Sequence, residues 1–131
     1  MSMTTTGFAA LAAGEGWHYV DETDEPPFEN DWGNQSGRPK MAFRIREVGV
    51  VDIQCDLTSS GLVNVTVFTL PEGYRPSVQT IVHGGGTISG SPDQSVPSWL
   101  IIDTNGEVSA GPGDVVRISS FFYLDPPELA P

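Results

Sequence analysis

His83 leads into Gly84, Gly85 and Gly86, a pattern that in some esterases lets backbone N–H groups face a developing oxyanion. That chemistry also needs a nucleophilic serine in a Gly-x-Ser-x-Gly elbow, and the sequence has none. The glycines are therefore expected to release a loop from a strand end. The other reactive groups are scattered. His18, His83 and the single cysteine, Cys55, belong to three separate stretches, so no zinc-type ligand spacing exists. Cys55 has no basic or histidine neighbour in sequence to favour its thiolate, which makes it core filler. The acidic segment 21–31 offers carboxylates but lacks the alternating Asp/Asn pattern and glycine of a calcium loop. With 17 acidic residues a glycosidase pair is easy to imagine, and abundance alone does not fix two carboxylates across a cleft. No cofactor, metal or catalytic residue is expected, and the chain reads as a non-enzyme.

Ligand binding is better served by the tryptophans Trp17, Trp32 and Trp99. An indole stacks on the apolar face of a sugar while neighbouring Asp, Asn and Gln bond its hydroxyls. Asp93, Gln94 and Trp99, on and after a polar loop, are the candidate ligand-binding residues. Trp99 also opens the apolar run Trp99-Leu100-Ile101-Ile102, where a core or subunit contact is the competing role.

What must position these groups follows from composition. A chain of 131 residues suits one domain. Val, Ile and Thr number 30 against 14 for Ala and Leu, and 15 Gly and 11 Pro punctuate them, so strands and turns are implied. Six Lys+Arg against 17 Asp+Glu give a net charge of −11. Such a surface lacks the cation density to displace counterions from a phosphate backbone, and an anionic membrane repels it. Neither nucleic-acid binding nor membrane insertion is expected, since no apolar run reaches the ~20 residues of a spanning helix. Residues 8–13 are too short and wrongly flanked for a secretory signal, and a lone cysteine does not indicate an oxidising compartment. Synthesis in a cytoplasm is the expectation.

Alternation marks the elements. Met41, Phe43 and Ile45 share one parity while Lys40, Arg44 and Arg46 share the other, as in a half-buried strand. Val51, Ile53, Cys55 and Leu57 alternate likewise with Asp52, Gln54 and Asp56. Further strands are expected from residue 63 to 70, over 78–83, 99–103, 107–110 and 115–124, with a projecting Gly/Ser/Pro-rich loop between 84 and 98. Asn105-Gly106 is expected to make a tight hairpin with positive φ values. About eight short strands and no substantial helix predict an all-β fold, an antiparallel, jelly-roll-like β-sandwich. It occupies residues 17–124, between an N-terminal arm or attachment segment, 1–16, and a Pro-rich end, 125–131.

Three stretches carry a resemblance. Pro27-Phe28-Glu29-Asn30-Asp31-Trp32, then Phe68-Thr69-Leu70-Pro71-Glu72-Gly73-Tyr74-Arg75-Pro76, then Asp103-Thr104-Asn105-Gly106-Glu107-Val108, resemble the C-terminal head domain of bacteriophage tail fibre, minor tail and receptor-binding proteins. The resemblance implies a homotrimeric, non-enzymatic β-sandwich at the tail tip of a virion, binding a host cell-surface glycan or protein. It makes the 68–76 corner structural, with Phe68 and Leu70 packing and Arg75 bonding carbonyls or a neighbouring subunit. Heads of that family usually end a long fibre, whereas about sixteen residues precede the similarity here. Attachment through the arm, a side surface or another virion protein is then expected, and a capsid decoration or tail-tip cement protein is the alternative.

Charge is segregated as well. Residues 15–31 hold seven acids and no cation, and Arg38, Lys40, Arg44 and Arg46 follow. These blocks are either a solvated loop beside a basic strand face or a contact between identical subunits. On the second reading Asp21, Glu22, Arg38, Lys40, Arg44, Arg46 and Arg75 are candidate subunit contacts.

Overall fold

The computed structural model describes residues 14–58, 65–90 and 92–126. It is all-β and antiparallel, with no helix among the described residues. Nine strands follow in chain order: β1 (His18–Tyr19), β2 (Gly33–Asn34), β3 (Ala42–Glu47), β4 (Val50–Thr58), β5 (Thr66–Thr69), β6 (Thr80–Ile88), β7 (Gln94–Ile102), β8 (Glu107–Gly111) and β9 (Val115–Tyr123). The expected sandwich takes the form of one curled sheet in the order β1-β3-β4-β9-β6-β7-β8-β5, with β2 paired to the end of β4.

The curl has a local cause. β9 pairs with β4 along its whole length, from Val50↔Tyr123 to Thr58↔Val115, and β6 pairs with β7 from Thr80↔Ile102 to Ile88↔Gln94. Between these ribbons β6 and β9 share only Gly85↔Arg117, Gly86↔Val116 and Thr87↔Val115. A Cβ at Gly84 would stand 2.6 Å from the Arg117 carbonyl oxygen, and one at Gly86 2.6 Å from that of Val115. Only glycine permits the close crossing that folds one ribbon over the other. The expected loop from residue 84 to 98 is thereby corrected: most of it is strand, and only residues 89–93 connect β6 to β7. Pro97 is tolerated inside β7 because β8 reaches only as far as Gly111, opposite Trp99, leaving Pro97 with β6 as its sole neighbour.

Folding over brings the ends of the strand order face to face. Phe43 of β3 stacks on Phe68 of β5 with ring centroids 5.7 Å apart, and both are fully buried. Val51, Ile53 and Leu57 from β4 meet Leu100, Ile102 and Val108 from β7 and β8 in the same core. Truncating Phe43 to Ala removes a large ring from this junction and is worth about 3–5 kcal/mol. The alternation expected for β3 and β4 holds, with Phe43, Ile45, Val51, Ile53, Cys55 and Leu57 all buried.

The resembling stretches serve this closure. The segment 27–32 straps the edge of β5: Glu29 N–H donates to the Val67 carbonyl at 2.8 Å, and Asn30 Nδ2 to that of Thr66 at 2.9 Å. Asn30 and Asp31 take positive φ there, a conformation their short polar side chains tolerate. Trp32 then buries itself, and the edge is shielded from pairing with another chain. In the 68–76 corner Arg75 Nε donates to the Leu70 carbonyl at 2.8 Å and lies against Gly106. The 103–107 hairpin differs from expectation. Only Gly106 has positive φ, and its N–H donates to the Asp103 carbonyl, as in a type I turn closed by a left-handed glycine.

Candidate functional site

Alternation turns Asp52, Gln54 and Asp56 of β4 to the outer face of the first ribbon, and register decides what they meet. Asp52 lies opposite Arg44 of β3, Gln54 opposite Ser119 of β9 and Asp56 opposite Arg117. Two triads of the same composition result, each a carboxylate held between two guanidinium groups.

In the first, Arg44 Nε donates to Asp52 Oδ2 at 3.1 Å and Arg46 Nε to Asp52 Oδ1 at 2.9 Å. Rings cover both cations. Arg44 lies 4.2 Å from the centroid of Trp17 and Arg46 5.0 Å from that of Phe121, and Glu47 stands 4.0 Å from Arg46. This triad is filled by its own surroundings.

In the second, Arg38 Nε donates to Asp56 Oδ2 at 2.7 Å and Arg117 Nε to Asp56 Oδ1 at 3.3 Å. Arg38 comes from a turn rather than a strand. Gln35 N–H donates to the Asp56 carbonyl at 2.8 Å, Arg38 N–H donates back to Gln35, and the turn passes through Gly37 with positive φ. The Asp56 side chain is 4% exposed, while those of Arg38 and Arg117 are 51% and 47% exposed. A pocket of about 300 Å³ opens here, lined by both arginines, Asp56, Gln54 and Ser119. Each guanidinium spends its ε N–H on Asp56 and makes no other hydrogen bond among the described residues. One carboxylate against two guanidiniums leaves a local positive charge on a chain of net −11. Such a fork suits an oxyanion.

A third cluster joins the segment before β1 to the 68–76 corner. His18 Nδ1 lies 2.9 Å from Glu25 and Nε2 3.2 Å from Glu15, while Tyr74 Oη donates to Glu15 at 3.0 Å. The imidazole stacks on Phe43 at 5.3 Å. Burial alone would lower the His18 pKa, but its hydrogen bonds to the Glu25 and Glu15 carboxylates outweigh that and raise it. Burial alone would raise the Glu15 pKa, yet the Ile45 N–H, Tyr74 and His18 hold it below the usual carboxylate range. Burial and the Glu15 carboxylate push the Tyr74 phenol up. This is a structural lock, and no group of three His, Cys, Asp or Glu among the described residues is placed to hold a metal ion. Burial also pushes the Cys55 thiol up to about 12, and the side chain is enclosed in the core.

The residues singled out by sequence are not brought together. Asp93 accepts the Gly90 N–H inside the β6–β7 turn, Gln94 begins β7, and Trp99 lies five residues further on with the opposite parity. At about 3.3 Å per residue Gln94 and Trp99 are some ~16 Å apart and on opposite faces. Trp99 is half-buried on the outer face of β6, β7 and β8, paired with His83. Glu22 accepts from Lys40 Nζ at 3.2 Å, and Asp21 N–H donates to the Pro26 carbonyl, so the acidic and basic blocks meet within one chain. Arg38, Arg44 and Arg46 are engaged by Asp56 and Asp52, and Arg75 by Leu70. Asp56, Arg117, Gln54 and Ser119 were not legible as one site. Alternation put the β4 residues on the outer face, but nothing in the chain announces the register that adds β9.

Comparison of the chain with known protein families, curated proteins and solved structures finds no match.

Proposed function

We propose that the chain is a non-enzymatic receptor-binding module of a bacteriophage virion, a minor tail or tail-tip protein that associates as a homotrimer and recognises a host-surface glycan. The resemblance of the 27–32, 68–76 and 103–108 stretches suggests the class. The observation that carries the binding role is the open Asp56 triad, whose pocket offers guanidinium, amide and hydroxyl groups on a flat sheet face. Side chains fixed on β4 and β9 present these groups with little ordering cost, and three copies on one axis multiply weak sugar contacts into avidity.

Retention of the purified protein on bacterial cells and cell-wall fragments tests the reading. Saturable retention that falls when fragments are stripped of glycan is expected, and no retention on any susceptible host would overturn it.

A second reading, a capsid decoration or tail-tip cement protein, is favoured by a different face. Ile81, Trp99 and Ile101 line the outer side of β6 and β7, two strands that carry no Asp, Glu, Lys or Arg. A face without carboxylates lets copies of a strongly acidic chain approach with little repulsion. Binding to virions that lack the protein, with none to cells, distinguishes this reading.

A further inference from the structure

We infer that the Asp56 triad is an oxyanion site, and that on the receptor reading above it takes the acid group of a host glycan, a sugar carboxylate or a phosphate ester. Three independent observations converge. Asp56 fixes both guanidiniums by their ε nitrogens, which aligns the two forks and leaves their terminal N–H groups for a ligand. The neighbouring Asp52 triad shows what an occupied version looks like: aromatic rings lie over both of its arginines, and nothing comparable lies over Arg38 or Arg117 among the described residues. Finally, the register neighbour of Arg117 on β6 is Gly85. Packing demands glycine at 84 and 86, but a Cβ at Gly85 would meet nothing within 4 Å. Glycine there leaves bare backbone beside the guanidinium, where a ligand can lie flat against the strand.

The ligand is monoanionic or binds through one charged group, because the surplus is one positive charge and the rest of the surface repels polyanions. Gln54 and Ser119, facing each other across β4 and β9, supply donors and acceptors to hydroxyls adjoining the acid group. A carboxylate or phosphate oxygen bridges the two forks, and no covalent bond changes.

The test is a titration of the full-length protein, at low ionic strength, with sodium glucuronate and separately with glycerol 3-phosphate, read by amide shifts at Gly85 and Ser119. Saturation with a dissociation constant of about 1 mM or tighter is expected for at least one probe, and which one identifies the acid as sugar carboxylate or phosphate. Arg117→Gln should weaken binding at least tenfold. Arg38→Gln, in a turn that leaves β9 untouched, should do the same and guards against misfolding of the first variant. Arg44→Gln should leave it unchanged. Absence of saturation by both probes, or binding by both pocket variants as tight as that of wild type, overturns the site. Retention on cells separates the two layers. Cells retained equally by wild type and Arg117→Gln would remove this site and leave receptor binding intact. Saturable anion binding without retention on any host would remove the receptor reading and leave the anion site.

Discussion

The two arginine triads share composition, sheet face and hydrogen-bond pattern, yet one is closed and the other open. Asp52 and Asp56 lie four residues apart on β4, each bonded by two ε nitrogens. What differs is their position. Asp52 sits where Trp17, before β1, and Phe121, on β9, can cover its arginines. Asp56 sits at the crossing, where the next strand offers Gly85 and the second cation must come from a turn. The same charges are thus covered in one place and left open in the other. What matters is how many groups remain to cover them.

The largest effect expected on this contrast comes from the crossing itself. Gly84→Ala places a methyl 2.6 Å from the Arg117 carbonyl, a backbone atom that cannot swing aside. A loss of about 3 kcal/mol in urea denaturation is expected, with anion binding lost. Gly85→Ala should instead raise stability by about 0.5 kcal/mol, since it fills only open space and relieves a flexible position. A similar loss in both variants would show that the crossing does not depend on which face the glycine presents.

Removing the carboxylates comes next. Asp56→Asn should cost about 2 kcal/mol, because a buried acceptor of two charged hydrogen bonds is weakened. Asp52→Asn should cost nearer ~1 kcal/mol, because the Asp52 carboxylate is 14% exposed against 4% for Asp56 and is better screened by solvent. Equal costs would erase the distinction between the two sites. Uncovering the closed triad sharpens it further. Trp17→Ala should cost about 1 kcal/mol, and combining it with Phe121→Ala should create glucuronate-dependent amide shifts at Arg44 and Asp52 that wild type lacks.

The smallest effect is one of pH and belongs to the His18 lock. Its folded pKa is raised, so its contribution is fully present below the unfolded value near 6.5 and is lost as pH rises through the folded value. Glu15 acts in the opposite sense: its folded pKa is lowered, so its contribution is present above the unfolded value and is lost as pH falls through the folded one. Stability should therefore decline from pH 6 to 9 in wild type and less steeply in His18→Gln. Parallel profiles would show that the lock carries no charge.

Much of the strand content was legible because β3 and β4 alternate without interruption, and composition excluded helix. The crossing was not, since Gly84, Gly86 and Pro97 carry the marks of a loop and act instead through close packing. β1 and β2 have two residues each, too few for any period. The candidate site was half visible. Asp56 and Arg38 were available from parity and charge, but Arg117 joins them through a pairing that spans 61 residues of chain. The Trp99 neighbourhood looked promising because a polar loop precedes it, and the two-residue period of β7 sends Gln94 and Trp99 in opposite directions.

The crossing of β6 and β9 has a mechanical consequence. Only three rungs stitch one ribbon to the other, against nine along β4 and β9. A tug that draws the ribbons apart peels this seam rung by rung, whereas a tug along β9 must slide all nine at once. The sheet should therefore resist a load best when it is pulled lengthwise along β9.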